Sequence, residues 1–178
     1  IVERELGAVT DNPLVFEPTL TGRPVVAAGN FHGMPLAIAF DTFNIALTHV
    51  AGIAERRVYY LLAAPSAENR LNPQLSPVPG LHSGLMIAQY VAAACCNELI
   101  GLATPASVSN LSTSAGMEDY NSFGAHAALK AHRVLERVSD VVAIELLCAA
   151  EALEYQRPLR SGPGIEQALE GVGAAQPG

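Results

Sequence analysis

The sequence predicts an all-α fold: long antiparallel helices contributing to a central oligomeric helical bundle, with a small irregular or hairpin segment at the N-terminus. Three observations carry this expectation. Long runs show apolar residues recurring at steps of three and four, which marks one face of a helix. Stretches rich in proline and glycine separate those runs. Finally, 50% of the 178 residues are hydrophobic and only 15% are charged, where about 25% charged is usual for a soluble domain. Part of the surface is therefore expected to be covered by other chains.

The elements follow in order. The chain opens on Ile1 rather than methionine, and Val2-Glu3-Arg4-Glu5-Leu6 reads as the tail of a helix. Further sequence, cut off, cleaved off or encoded separately, is expected upstream. Residues 11 to 32 should be irregular, because Pro13, Pro18, Pro24 and the Thr21-Gly22 pair break any helix. Within them, Leu14-Val15-Phe16 and Pro24-Val25-Val26 suit a small hairpin. A long helix is expected over about Met34 to Ala63, with Leu36, Phe40, Phe43, Leu47, Val50 and Ile53 as its buried face. Residues 65 to 82 form a proline-rich loop, and Ser83 is placed to cap a helix running to about Ala103. Thr104-Pro105 stops that helix. A polar loop over 105 to 116 precedes the last long helix, expected from about Met117 to Tyr155. Leu135, Val138, Val142, Leu146, Ala149 and Leu153 have the heptad-like spacing of a bundle seam. From Val141 to Ala152 the helix is apolar nearly all round, as expected at the centre of an oligomer. Arg157-Pro158 ends it, leaving one short helical piece and a tail over 161 to 178. The expected division is thus a main helical part, 1–157, and an appendage, 158–178.

Composition excludes several classes of function. The net charge is -7, with nine arginines and the single lysine Lys130. No basic cluster is present, so nucleic-acid binding is disfavoured. The apolar run near Leu85 to Cys96 is too short for a membrane span, which needs about 20 residues. Cys95, Cys96 and Cys148 lie in apolar helical runs and read as small hydrophobes in a reducing compartment. They have no metal-ligand spacing. His132 and Glu136 share a helix face, with His126 nearby, but lack a third ligand at suitable spacing. No metal is expected.

Three polar islands interrupt the apolar runs: Thr10-Asp11-Asn12-Pro13, Gly29-Asn30-Phe31-His32-Gly33 and Thr113-Ser114-Ala115-Gly116-Met117-Glu118-Asp119. Taken alone, the second is an ordinary turn with an exposed histidine. The third is a loop whose acidic residues complement the dipole of the helix that follows. Other segments stand between and after them. Glu55-Arg56-Arg57 ends the first long run, and Pro79-Gly80-Leu81-His82-Ser83-Gly84-Leu85-Met86-Ile87-Ala88-Gln89 opens the second. Pro105-Ala106-Ser107-Val108 and Ala143-Ile144-Glu145-Leu146-Leu147-Cys148-Ala149-Ala150 complete the set. In this order and spacing, over roughly residues 1 to 157, the chain resembles the C-terminal half of the histidine and aromatic amino-acid ammonia-lyases. It is most similar to the histidine-specific members. The Met-Pro-x-Lys-x-Asn loop of the related fumarase and aspartase group is absent.

The resemblance implies a chemistry. These lyases use a methylidene-imidazolone electrophile formed autocatalytically from Ala-Ser-Gly, and they assemble as tetramers whose active sites draw on several subunits. No Ala-Ser-Gly occurs among the 178 residues, nor does the family's Gln-Asp-x-Tyr-Ser-Leu-Arg segment. The resemblance therefore implies an N-terminal lyase chain or segment that supplies the electrophile, without which this chain is not active. It also implies roles for three residues. Phe31 corresponds to a phenylalanine packed near the electrophilic ring. Glu118 corresponds to a glutamate that contacts the substrate imidazole in histidine lyases, and a carboxylate there can pair with the ring N–H or take a proton. Met86 corresponds to a substrate-pocket methionine. The implied activity is elimination of ammonia from an L-amino acid, histidine or an analogue, in the cytoplasm as part of histidine breakdown. Met117, His82 and Tyr120-Asn121-Ser122-Phe123 depart from the histidine-lyase pattern. They leave open an aminomutase or an aromatic (phenylalanine or tyrosine) ammonia-lyase. A non-catalytic assembly subunit also remains open.

Overall fold

A computed structural model describes residues 1–27 and 30–175, with Thr21, Asn69 and Ala175 described through their backbone alone. The order of elements is α1 (Val2–Glu5), β1 (Leu14–Val15), α2 (Pro18–Thr21), β2 (Val25–Val26), α3 (Met34–Ala63), α4 (Met86–Leu102), α5 (Gly124–Glu154) and α6 (Pro163–Ala175). The fold is all-α with one small hairpin, in which Leu14 pairs with Val26 and Val15 with Val25 in antiparallel register. The single turn α2 lies within the hairpin connection; Pro18 takes its first position and Gly22, in the left-handed conformation, ends it. The expected tail reaches beyond the described residues, and α6 occupies 163–175 of it.

The chain divides into two compact units: Ile1–Ile45 with Leu102–Arg133, and Ala46–Gly101 with Val134–Gly178. Helices α3 and α5 are each divided between the two units, with the longer part in the second. In the first unit, Ala37, Ala106 and Ala127 form a small core against Met34, Phe40 and Phe123. In the second, Val58, Leu62, Leu75, Cys148 and Ala152 are buried against Leu61, Leu71, Leu85, Ala88, Ile144 and Tyr155. Here α4 is the antiparallel member. It meets α3 through Thr48 and Leu99 near one end and through Glu55 and Gln89 near the other.

The buried stripe of α3 differs from the expected one. Ala37, Asp41, Asn44, Ala51, Glu55, Val58 and Leu62 are buried, at the three- and four-residue steps of a heptad pattern. Phe43, Val50 and Ile53, expected inside, are exposed. Small and hydrogen-bonding residues make up the buried stripe as far as Glu55, and Val58 and Leu62 continue it. Of the large apolar residues expected inside, Leu36, Phe40 and Leu47 are half-buried. By length and composition α3 could cross a membrane, but its stripe carries Asp41, Asn44 and Glu55, whose polar groups bond within the chain.

On α5 the buried positions are Ala127, Ala131, Val134, Val138, Val141, Cys148 and Ala152. The expected seam shares only Val138 with this stripe; Leu135 and Leu146 are exposed. The helix thus carries two apolar seams, one packed within the chain and one open. It also begins later than expected. Phe123 has φ +51°, a left-handed conformation that cannot continue into a right-handed helix, and the first helical residue is Gly124. Glu118 and Asp119 therefore lie in a loop, not in a helical first turn. The start of α4 is likewise displaced from Ser83 to Met86. Gly84 adopts φ +52°, and a Cβ there would overlap the Gln74 carbonyl.

Candidate active site

The polar islands all lie in the first unit. Asp11 accepts the Asn12 N–H on its own carboxylate at 2.8 Å, which tightens the first island into a turn. Asn30 ties the second island to the first: its backbone N–H donates to the Asp11 carbonyl at 3.2 Å, and its side-chain amide donates to the Val9 carbonyl at 2.9 Å. Gly29, the other end of the second island, lies outside the described residues. His32 ties the second island to the segment after the third, with Nε2 2.8 Å from the Tyr120 carbonyl oxygen. Backbones approach closely here. A Cβ on Gly33 would sit 3.0 Å from Ser122 Oγ, and one on Gly124 3.1 Å from the Gly33 carbonyl.

The third island is an unusual turn. Ser114, Ala115 and Gly116 all have positive φ, and the first two carry side chains that disfavour this conformation by about 1 kcal/mol or more each. The turn is closed by a reciprocal pair: the Thr113 N–H donates to the Glu118 carbonyl at 2.9 Å, and the Glu118 N–H returns to Thr113 at 3.3 Å. The Asn121 side chain donates to the Leu111 carbonyl, and that of Asn110 donates to the Asn121 carbonyl at 3.3 Å. Below this loop, the buried carboxylate of Asp41 accepts the Ser107 N–H at 2.8 Å.

This scaffold presents the first two sequence candidates outward. Phe31 is 53% exposed, although its neighbours Asn30 and His32 are both anchored. A fixed backbone holding an uncovered aromatic ring suits contact with a group from beyond this chain. Glu118 is exposed on the reciprocally paired turn, between the exposed Met117 and Tyr120. Met86, the third candidate, belongs to the second unit. It is half-buried at the start of α4 and lines a cavity of about 130 Å³ with Tyr59, Leu62, Ala63, Gln74, Gln89 and Tyr90.

Several motif residues turn out to hold helices together. Glu55 is buried and accepts from Arg56 Nε at 2.6 Å and from Gln89 Nε2 at 2.8 Å. Arg56 also lies over the Tyr59 ring, 5.0 Å from its centroid. Arg57 forms a two-point pair with Glu145, one bond of which is 2.9 Å, a geometry that guanidinium favours. Burial pushes the Cys148 thiol up to about 11, which leaves it a protonated apolar group.

Sequence reasoning passed over His32 and Asp41. A signal for Asp41 was present: Asp41, Asn44, Thr48 and Glu55 recur at helical steps inside an apolar run. His32 had no signal beyond its place in the island, since its partner is a backbone carbonyl 88 positions away.

Comparison with known proteins adds to this geometry. The family described as aromatic amino acid lyase matches residues 1–174. The chain is 48% identical over 168 residues to a histidine ammonia-lyase of Anaeromyxobacter sp. (strain K), covering 94% of this chain and 32% of that protein. It is 44% identical over 170 residues to a histidine ammonia-lyase of Natranaerobius thermophilus, covering 96% and 33%. Among solved structures, histidine ammonia-lyase from Trypanosoma cruzi superposes with a TM-score of 0.90 at 40% identity, over 98% of this chain and 34% of that one. Pantoea agglomerans phenylalanine aminomutase also gives 0.90, at 30% identity over 98% and 33%. The chain spans about a third of the length of the relatives it matches.

Proposed function

Because this chain belongs to the aromatic amino acid lyase family, we propose that it supplies the C-terminal part of a cytoplasmic ammonia-lyase active site that acts on L-histidine or an analogue. The observation that carries the reading is that the second island is bonded both to the first and to Tyr120, just after the third, with Phe31 and Glu118 exposed on this framework. The family match runs through residue 174 and so takes in α6 as well as residues 1–157. The remainder of the site, including the methylidene-imidazolone, belongs to a partner chain or to another segment of the same enzyme, in a tetrameric or hetero-oligomeric assembly.

When bound, that ring supplies an electron-poor carbon for covalent activation of the substrate. The uncovered face of Phe31 fits packing beside such a planar group. In the elimination the Cα–N bond and a Cβ–H bond break and a C=C bond forms. The nitrogen leaves as ammonia, and the β-proton passes to a base. Glu118 accepts a hydrogen bond from the imidazole N–H and so orients the side chain whose β-carbon loses the proton. Met86, in the second unit, is a separate candidate for an apolar substrate contact.

The test uses the assembled enzyme. Glu118→Gln is expected to lower kcat for histidine by about 10²-fold, read as formation of the ultraviolet-absorbing imidazole acrylate, with the native mass of the assembly unchanged. Unchanged turnover would favour an assembly subunit whose loops are idle. The likeness to Pantoea agglomerans phenylalanine aminomutase, together with Tyr120-Asn121-Ser122-Phe123, supports a second reading. A β-amino acid product, or preference for phenylalanine or tyrosine, would establish it.

A further inference from the structure

We infer that His32 is a positioning residue: its imidazole fixes the loop that carries Glu118 against the loop that carries Phe31, and so sets the geometry in which both meet substrate. The inference rests on the lyase reading of this site. Nδ1 of His32 accepts the Met34 N–H at 3.4 Å. A carbonyl oxygen can only accept, so Nε2 carries a proton and donates it to the Tyr120 carbonyl at 2.8 Å. The rings of His32 and Tyr120 also face each other, with centroids 6.2 Å apart and planes 31° from parallel.

The place of this bond gives it its role. The bonds that close the Glu118 loop, between Thr113 and Glu118 and among Asn110, Leu111 and Asn121, join loop residues to one another. They fix the loop's shape but not its position. The His32 bond reaches from the entry of α3, one residue after Phe31, to a carbonyl two residues after Glu118. One imidazole therefore spans the short path between the two candidate substrate contacts. A positional error of about 1 Å in such a site costs up to 10²-fold in rate.

Three variants of the active assembly separate this role from folding. His32→Gln keeps a side-chain N–H at the reach of Nε2. His32→Asn keeps an acceptor near Nδ1 but falls short of Tyr120. His32→Leu keeps bulk and neither bond. His32→Gln is expected to stay within about threefold of native kcat, and the other two to lose about tenfold or more. The melting temperature should move little, because His32 is exposed. Amide exchange over 113–122 should quicken in His32→Asn and His32→Leu but not in His32→Gln. Native kcat in His32→Leu, equal losses in His32→Gln and His32→Leu, or unchanged exchange would each overturn the inference. If the native assembly releases no ammonia from histidine, phenylalanine or tyrosine, the lyase reading itself fails. Amide exchange alone then decides whether His32 holds the loop.

Discussion

Asp41 places a carboxylate where only 4% of the residue meets solvent. Burial pushes its pKa up. The N–H groups of Ser107 and Ala106, the Ser107 hydroxyl and the charge of Lys130 outweigh burial, and the pKa lies below its ordinary value of 3.8. A lowered folded pKa contributes stability that is present above the unfolded value and is lost as pH falls through the folded one. Asp41→Ala leaves the Ser107 N–H without its acceptor and is expected to cost about 1–3 kcal/mol at neutral pH. The gap between native and variant should narrow below about pH 4. Urea unfolding at several pH values reads this directly; a pH-independent gap would assign the cost to packing alone. Because Ser107 lies in the connection that carries Glu118, the carboxylate links helix packing to the proposed site.

At the scale of elements, the approach to Met86 depends on one glycine. Gly84 has φ +52°, and a Cβ would meet the Gln74 carbonyl head on, the same carbonyl that accepts the Leu85 N–H at 2.9 Å. Gly80 is also left-handed, at φ +87°, but has open space around it. Gly84→Ala is therefore expected to destabilise by about 2 kcal/mol or more, and Gly80→Ala by about 1 kcal/mol. Thermal unfolding compares them, and equal losses would mean that Gln74 moves aside. The long elements were legible beforehand: the bounds of α3 and the hairpin at Leu14–Val15 follow from proline placement and apolar periodicity. The faces were not. Large apolar residues such as Phe43 and Ile53 dominate a hydropathy pattern, whereas the chain fully buries Ala37, Ala51 and Ala127. The start of α5 was misplaced because acidic residues at 118 and 119 imitate a helical first turn, and the left-handed Phe123 leaves no compositional trace. The candidate site was legible as a set of motifs. Its cross-links were not, because bonds to distant backbone carbonyls leave no pattern in sequence.

For the whole molecule, the open seam of α5 matters most. Leu135 is 47% exposed and Leu146 53%, while Ala149 and Leu153 line a recess of about 460 Å³ with Leu61 and Leu71. These residues keep heptad-like spacing, yet the chain itself buries the other stripe. Leaving such a seam in water is unfavourable by about 25 cal/mol per Å² of apolar surface, so a second helical surface should cover it in the assembled enzyme. Both leucines face away from the packed stripe, so changing them to glutamate should cost the chain's own stability about 0.5 kcal/mol or less each. The same charges would be buried in the assembly, where an unpaired carboxylate is strongly disfavoured. The double variant Leu135→Glu, Leu146→Glu is thus expected to keep its helical circular dichroism and to lose assembly mass by native mass spectrometry. Ammonia release should fall with it, since the proposed site draws the electrophile from outside this chain. Retention of full assembly mass would show that the seam lies outside the subunit contacts, and the low charge content of the chain would then need another cause.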